Sequence, residues 1–236
     1  MVNLNIVSSN NKQGLFIAIE SVDPYDSTLY SELLHTWLNT ISLKTLYLID
    51  PHGNITESES IYNTAKNFKF YERFELFLIE FLIRRTYLNK VVSPAVKNGS
   101  YVVVNGFVEN TYADAMVTGN ILYKDVAKAD SMILEDCIQP DIVFVIDTPF
   151  SKSYSRAIVN PDHRILSTYE KELRTKYNRK RTEILIRATA QASTYVVIDG
   201  SESNENILLT IQEYLSTKNE IAELINKPIV SANKIY

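Results

Sequence analysis

Five short apolar runs, each separated from the next by a longer stretch, constrain this 236-residue chain more than any other feature. They are residues 14–20 (GLFIAIE), 44–50 (KTLYLID), 101–105 (YVVVN), 141–147 (DIVFVID) and 194–199 (TYVVID). Each run is continuously apolar rather than alternating, which suits strands covered on both faces, as in a parallel sheet. Between them Tyr30, Leu33, Leu34, Trp37, Leu38 and Ile41 recur at helical spacing, as do Phe74, Phe77, Leu78, Phe81 and Leu82. Ile207, Leu208, Ile211 and Leu215 mark a last helix after the fifth run. Strands alternating with helices imply right-handed βαβ units, so the expected fold class is α/β. The architecture is a three-layer α/β/α sandwich around a five-stranded parallel sheet. Ligands in such folds sit at the carboxyl ends of strands, which directs attention to the residues after Glu20, Asp50, Asn105 and Asp147.

Composition removes several function classes. A formal charge of −4 argues against a surface that coats nucleic acid. No segment reaches the roughly 20 apolar residues that cross a bilayer, and the start, MVNLNIVSSNNKQ, lacks the apolar run of a signal peptide. A single cysteine, Cys137, excludes an intrachain disulfide, and His35, His52 and His163 form no metal-ligand spacing. A cytoplasmic protein without membrane or nucleic-acid partners is expected, and no metal site. Glycine is scarce, at 6 residues, which matters because loops that bind phosphate depend on it.

After the first run come Ser21, Val22, Asp23, Pro24, Tyr25, Asp26, Ser27 and Thr28, and then a helix. Strand, loop and helix are the context of a phosphate-binding G-x-x-x-x-G-K-S/T loop. Ser21 and Asp26 stand in the glycine places, Ser27 in that of the lysine and Thr28 in that of the hydroxyl. Glu20 and Asp23 match the two acidic places of Glu-Gly-x-Asp-Gly-x-Gly-Lys-Ser/Thr. Asp50-Pro51-His52-Gly53-Asn54 stands for Glu-Pro-Gly-Gly-Thr, and the helical FELFLIEFLIRR and the segment VSPAVKNG at 92–99 follow in order. Asn105-Gly106-Phe107 replaces Asp-Arg-Tyr/Phe. Pro140, Asp141, Asp147 and Pro149 match Pro-Asp-x-x-x-x-x-Asp-x-Pro, and VIDGSES at 197–203 closes the set. In order and spacing the chain resembles thymidylate kinase, a P-loop nucleoside monophosphate kinase family. The resemblance covers roughly residues 14–215, giving a P-loop-kinase-like domain at 14–217 between extensions at 1–13 and 218–236.

The resemblance implies roles residue by residue. Asp23 matches the acid that contacts the deoxyribose and organises the reacting phosphates. Arg84 or Arg85 matches the arginine that holds the monophosphate, and Phe81 lies near the position that stacks on the base. Asn105, Phe107 and Glu109 fall in the segment that would line the nucleotide, and Thr28 keeps a hydroxyl suited to Mg. The plainer readings stand beside these. Asp23, Ser27 and Thr28 suit a helix cap, Phe81 a core position, Arg84 and Arg85 a polar rim, and Cys137 packing. Arg174, Lys176, Arg179, Lys180 and Arg181 suit either a solvated helix face or a phosphate-gripping lid. Thr168-Tyr169-Glu170 stands where the family's lid carries Arg-aromatic-Glu.

The departures carry the functional expectation. A carboxylate at Asp26 and a hydroxyl at Ser27 remove one positive charge and add one negative charge beside a polyanion. Two unit charges 4 Å apart at an effective dielectric of ~20 interact by about 4 kcal/mol. Pro24 removes a backbone donor, and the base-reading glutamine is absent from Asn110-Thr111-Tyr112-Ala113-Asp114-Ala115. Phosphoryl transfer relies on positioning and charge neutralisation, so the expectation is a pseudo-kinase with a degenerate Walker A loop that binds a nucleoside monophosphate or a protein partner. An active dTMP kinase using Mg and ATP, with Arg164 or Arg174 replacing the lysine, is the alternative. A nucleotide hydrolase or phosphatase using Asp23 and Glu109 is the second. The apolar helix at 74–83 and the family's twofold packing imply a homodimer, and the Asn-, Tyr- and Ile-rich chain suits a viral or phage origin, hence host cytoplasm.

Overall fold

The computed structural model describes residues 14–41, 44–67, 72–157, 170–192, 194–217 and 221. The expected extensions at 1–13 and 218–236 fall outside these, Ile221 excepted, as do Arg164, Thr168 and Tyr169.

Each apolar run forms a strand: β1 Phe16–Glu20, β2 Thr45–Ile49, β3 Tyr101–Asn105, β4 Ile142–Asp147 and β5 Tyr195–Asp199. They make one sheet in the order β2-β3-β1-β4-β5, and every pairing is parallel. Ile17 of the central strand pairs with Val103 on one side and Ile142 on the other. All five residues of β1 are buried, as a strand with neighbours on both edges and helices on both faces must be.

The two faces of the sheet sort the helices into layers. Phe16, Ala18, Val102, Val104, Val143 and Val145 point into one core, and Ile17, Ile19, Val103, Ile142, Phe144 and Ile146 into the other. The second core is closed by α1 Pro24–Ile41, through Tyr30, Leu34 and Leu38, and by a C-terminal helix through Ile207, Ile211 and Leu215. The first is closed by α3 Arg73–Tyr87, α5 Val108–Val117, α6 Tyr123–Leu134 and α8 Glu170–Ala190. Helix α2 Thr56–Asn67 packs against α3. Then α3 passes through a π-turn, Leu88–Val92, into α4 Ser93–Lys97. The remaining helices are α7 Phe150–Ala157, after β4, and α9 Asn204–Ser216, the C-terminal one. The expected three-layer sandwich is therefore the fold.

Helix α3 is less enclosed than its composition suggests. Phe77, Phe81 and Ile83 are buried, but Phe74 and Leu82 are 42% and 54% exposed. Its apolar residues run past the face that the sheet covers.

Candidate functional site

The loop from Ser21 to Thr28 leaves the carboxyl end of β1 at the middle of the sheet, and its polar groups face its own chain. Ser21 Oγ donates to the Ile146 carbonyl oxygen at 3.0 Å and accepts from the Asp23 amide at 3.2 Å. Asp23 caps α1: its Oδ1 accepts from the Tyr25 amide at 3.1 Å, and its carbonyl accepts from the Asp26 and Ser27 amides at 3.1 and 3.4 Å. Pro24 has no amide hydrogen, so every backbone donor from Asp23 to Ser27 has a partner within the loop. Ser27 Oγ donates to the Pro24 carbonyl at 3.2 Å, and Thr28 Oγ1 accepts from Asn105 Nδ2 at 3.0 Å. In a phosphate nest these groups would point at the ligand.

Asp26 is 1% exposed, yet it is ionically paired. Arg156 of α7 donates from Nη1 to Asp26 Oδ1 at 2.8 Å and to Asp23 Oδ2 at 3.0 Å. Thr148, just past β4, donates its hydroxyl to Asp26 Oδ2. Tyr25 lies under the Arg156 guanidinium, 4.5 Å from ring centroid to Cζ, and Tyr177 of α8 donates to the Thr148 carbonyl at 2.9 Å. Partial burial works against the Arg156 charge, but Asp26 and Asp23 outweigh it and hold its pKa above the ordinary arginine value. Nothing along the chain points to Arg156 in advance. A buried acid calls for a cation, but which one arrives depends on the β4–α7 connection.

A second polar centre lies after β2. Asp50 accepts side-on from Arg84, Nε to Oδ1 at 2.7 Å and Nη2 to Oδ2, and its Oδ1 also accepts from the Tyr87 hydroxyl at 2.7 Å. Arg84 Nη2 further donates to Thr111 Oγ1 at 2.8 Å and to the Phe107 carbonyl at 3.3 Å. Arg84 is fully buried; burial opposes its charge, but Asp50 more than offsets that and keeps it protonated. Its Nη1 alone has no partner among the described residues. Gly53 makes the turn beneath possible: at φ +58° a Cβ there would lie 2.4 Å from Tyr87 Cβ. Arg85, one residue on, turns away to the Ile133 carbonyl and Cys137 Sγ. Phe81 is fully buried, with its ring 4.5 Å from Phe77 and 5.0 Å from the Arg84 guanidinium, so it is part of the core.

Two buried carboxylates join these centres. Glu20 Oε1 accepts from the amides of Phe107, Glu109 and Asn110, at 2.8, 3.0 and 3.4 Å, and Oε2 accepts from Asn110 Nδ2 at 2.7 Å. Burial, with the nearby Glu109 and Asp50 charges, pushes its pKa up to about 8. Glu109 is locked by Arg187 and by the Tyr195 hydroxyl. Phe107 packs edge-on against Phe16 at 5.7 Å. Asp147 is paired with Arg181, Glu170 with Arg174 and Lys180 with Asp114, so the basic helix is part brace and part solvated face. Among the described residues no three His, Cys, Asp or Glu side chains are grouped to hold a metal ion. No described helix is long and apolar enough to cross a membrane.

Comparison with known proteins agrees with this scaffold. The thymidylate kinase family model matches residues 27–211, beginning inside α1. A thymidylate kinase of Thermosipho melanesiensis is 29% identical over 204 residues, covering 86% of this chain and 98% of its own. One of Marinomonas sp. is 24% identical over 213 residues, covering 88% and 97%. The crystal structure of thymidylate kinase from Ehrlichia chaffeensis superposes with a TM-score of 0.67 at 18% identity, over 86% of this chain and 99% of that one. A family match across most of the chain, on a sheet of this order, makes this protein a member of the thymidylate kinase family.

Proposed function

We propose that this protein is a pseudo-kinase of the thymidylate kinase family, one that keeps a nucleoside monophosphate site and has given up ATP-dependent transfer. The observation that carries this reading is Arg156 bridging Asp23 and Asp26 inside the loop where a triphosphate would lie. The residues present fit Mg and ATP poorly. The amides of Asp23, Tyr25, Asp26 and Ser27 already have partners, the Thr28 hydroxyl already accepts a hydrogen bond, and a carboxylate stands where an anion must enter. The Asp50–Arg84 pair, by contrast, keeps a cationic group with a free donor beside the ends of β2 and β3. In a thermal-shift titration, millimolar Mg·ATP is expected to give no stabilisation, whereas a deoxynucleoside monophosphate raises the melting temperature. Phosphorylation of dTMP at a rate abolished by Asp23→Ala would overturn the proposal.

One observation favours an active kinase instead. Arg156 already brings a cation to the loop, and exchange of its carboxylate partners for a phosphate would supply the charge that Ser27 lacks. ADP formation dependent on both dTMP and Arg156 is the signature of that reading. A hydrolase gains no support, because Glu109 is held away from solvent by Arg187 and Tyr195.

The partner we propose is a second copy of the chain, seated on α3 and α6. Phe74, Leu78, Leu122, Met132 and Ile133 line an open apolar groove there of about 690 Å³. Asp125 and Lys128 stand at the same groove, so a twofold axis can set each against the other's counterpart.

A further inference from the structure

An open cavity of about 180 Å³ lies between α5, α6 and the end of α8. Its walls include Asp130, Glu135, Gln139, Arg187 and Tyr195, and apart from Val108 and Leu134 every lining residue carries a polar group. Tyr195 opens β5 and Gln139 leads into β4, so the cavity lies towards the amino end of the sheet. Ligands of open α/β sheets bind at the opposite end, so a nucleotide site makes no use of it. The volume is near that of the ~150 Å³ cavity that takes one benzene ring, so a molecule of about that size fits and an indole does not.

The wall offers opposite charges on its two sides. Arg187 donates to Glu109 from Nε and Nη2, and its Nη1 has no acceptor among the described residues. Its Cζ lies 3.6 Å from the centroid of the Tyr112 ring, whose hydroxyl donates to Asp130 Oδ2 at 2.6 Å. One phenol ring therefore spaces a vacant guanidinium donor from a carboxylate, and fills only one of the roughly four acceptor sites of that carboxylate. Glu135 adds a second acid on the same wall. Helices α6 and α8 both end here, at Leu134 and Ala190, and helix carboxyl ends favour a cation. Glu109 already neutralises Arg187, so a simple anion would meet net negative charge. A simple cation would leave Arg187 Nη1 without a partner. A molecule that carries both an ammonium and a carboxylate satisfies both sides.

We propose that this cavity binds a small polar α-amino acid, with its carboxylate on Arg187 Nη1 and its ammonium on Asp130 and Glu135. The inference is independent of whether the chain binds nucleotides. It is tested on the full-length protein by saturation-transfer NMR with L-serine, L-asparagine and L-glutamine, each titrated to about 20 mM. Each is compared with its decarboxylated and deaminated counterparts, which for L-serine are ethanolamine and 3-hydroxypropanoate. At least one amino acid is expected to bind about tenfold tighter than both of its counterparts. Asp130→Asn, whose amide still accepts from Tyr112, should weaken it about fivefold or more, and the exposed Glu135→Gln by less. Ser131→Trp, on the exposed wall, blocks the cavity and abolishes binding, and it serves if a carboxylate variant does not fold. Absence of binding by all three amino acids overturns the proposal, whatever the variants do. Equal binding by the decarboxylated amine reduces the cavity to a cation site, and equal binding by the deaminated acid to an anion site. Either result overturns the proposal. So does an affinity unchanged in the folded variants, because the bound molecule then lies elsewhere.

Discussion

Arg156 Nη1 stands 2.8 Å from Asp26 Oδ1, so the first turn of α1 carries a buried carboxylate neutralised by an arginine from the far side of β4. An acid 1% exposed in such a turn is tolerable only with that partner. The pair is thus the brace of the loop, and in the proposed reading it also stands against an incoming anion.

Removal of the partner exposes that dependence. Arg156→Ala is expected to lower the unfolding free energy by about 1–3 kcal/mol, because Asp26 keeps only Thr148. Asp26→Asn should cost less, since an amide still hydrogen-bonds Thr148. The double variant should be more stable than the sum of the single losses. Urea denaturation of the four proteins measures the coupling, and additive losses would show that the contact is idle.

Repair of the loop should restore triphosphate affinity. Asp26→Gly with Ser27→Lys removes the competing carboxylate and returns the ammonium, leaving Arg156 paired with Asp23 alone. At tenfold excess over its dissociation constant a ligand stabilises by about 1.4 kcal/mol. Mg·ATP is therefore expected to shift the melting temperature of the repaired protein and not of the wild type. No shift in either would mean that the loop's inward amides, rather than its charge, exclude the nucleotide.

Glu20 gives the fold a pH dependence of definite sign. Its pKa rises from an ordinary 4.5 to about 8 on folding, chiefly by burial. Between these values the folded state holds a proton that the unfolded state releases. The contribution of Glu20 to stability is therefore full below about 4.5 and is lost as pH rises towards about 8. The slope is at most about 1.4 kcal/mol per pH unit. Glu20→Gln should flatten this decline, so the gap between wild type and variant shrinks or reverses from pH 5 to pH 8.5. Parallel curves in denaturant melts at those pH values would contradict it.

Association through α3 and α6 is testable on the surface residue Met132, which is 75% exposed. Met132→Glu introduces a charge at the groove without touching the core. Light scattering should find a dimer for the wild type and a monomer for the variant, with an unchanged far-UV spectrum. Identical masses would move any interface elsewhere.

How much of this was legible before the fold varies by residue. Asp23 and the loop around it could be located because strand, loop and helix are contiguous, and the capping role follows from residue type. Arg84 and Arg85 were indistinguishable as neighbours in one helix. A rotation of about 100° between them decides that one meets Asp50 and the other the end of α6. Phe81 matched a base-stacking place only by resemblance, and the packing of Phe77 and Tyr112 puts it in the core. Glu80 did leave a trace, an acid with apolar residues on both sides within FELFLIEFLIRR, but periodicity does not say whether such an acid faces solvent or a cavity.

The amino-acid order by itself determined the five strands, the helices that separate them, the parallel sheet and the altered charge of the loop after β1. Those properties depend on local periodicity and on residue type, both written along the chain. Which groups meet was decided by tertiary structure: Arg156 with Asp26, Arg84 with Asp50, Arg187 with Glu109. Each of these pairs joins positions at least 34 residues apart. Contact between them depends on strand order and helix rotation, which only the packed sheet fixes.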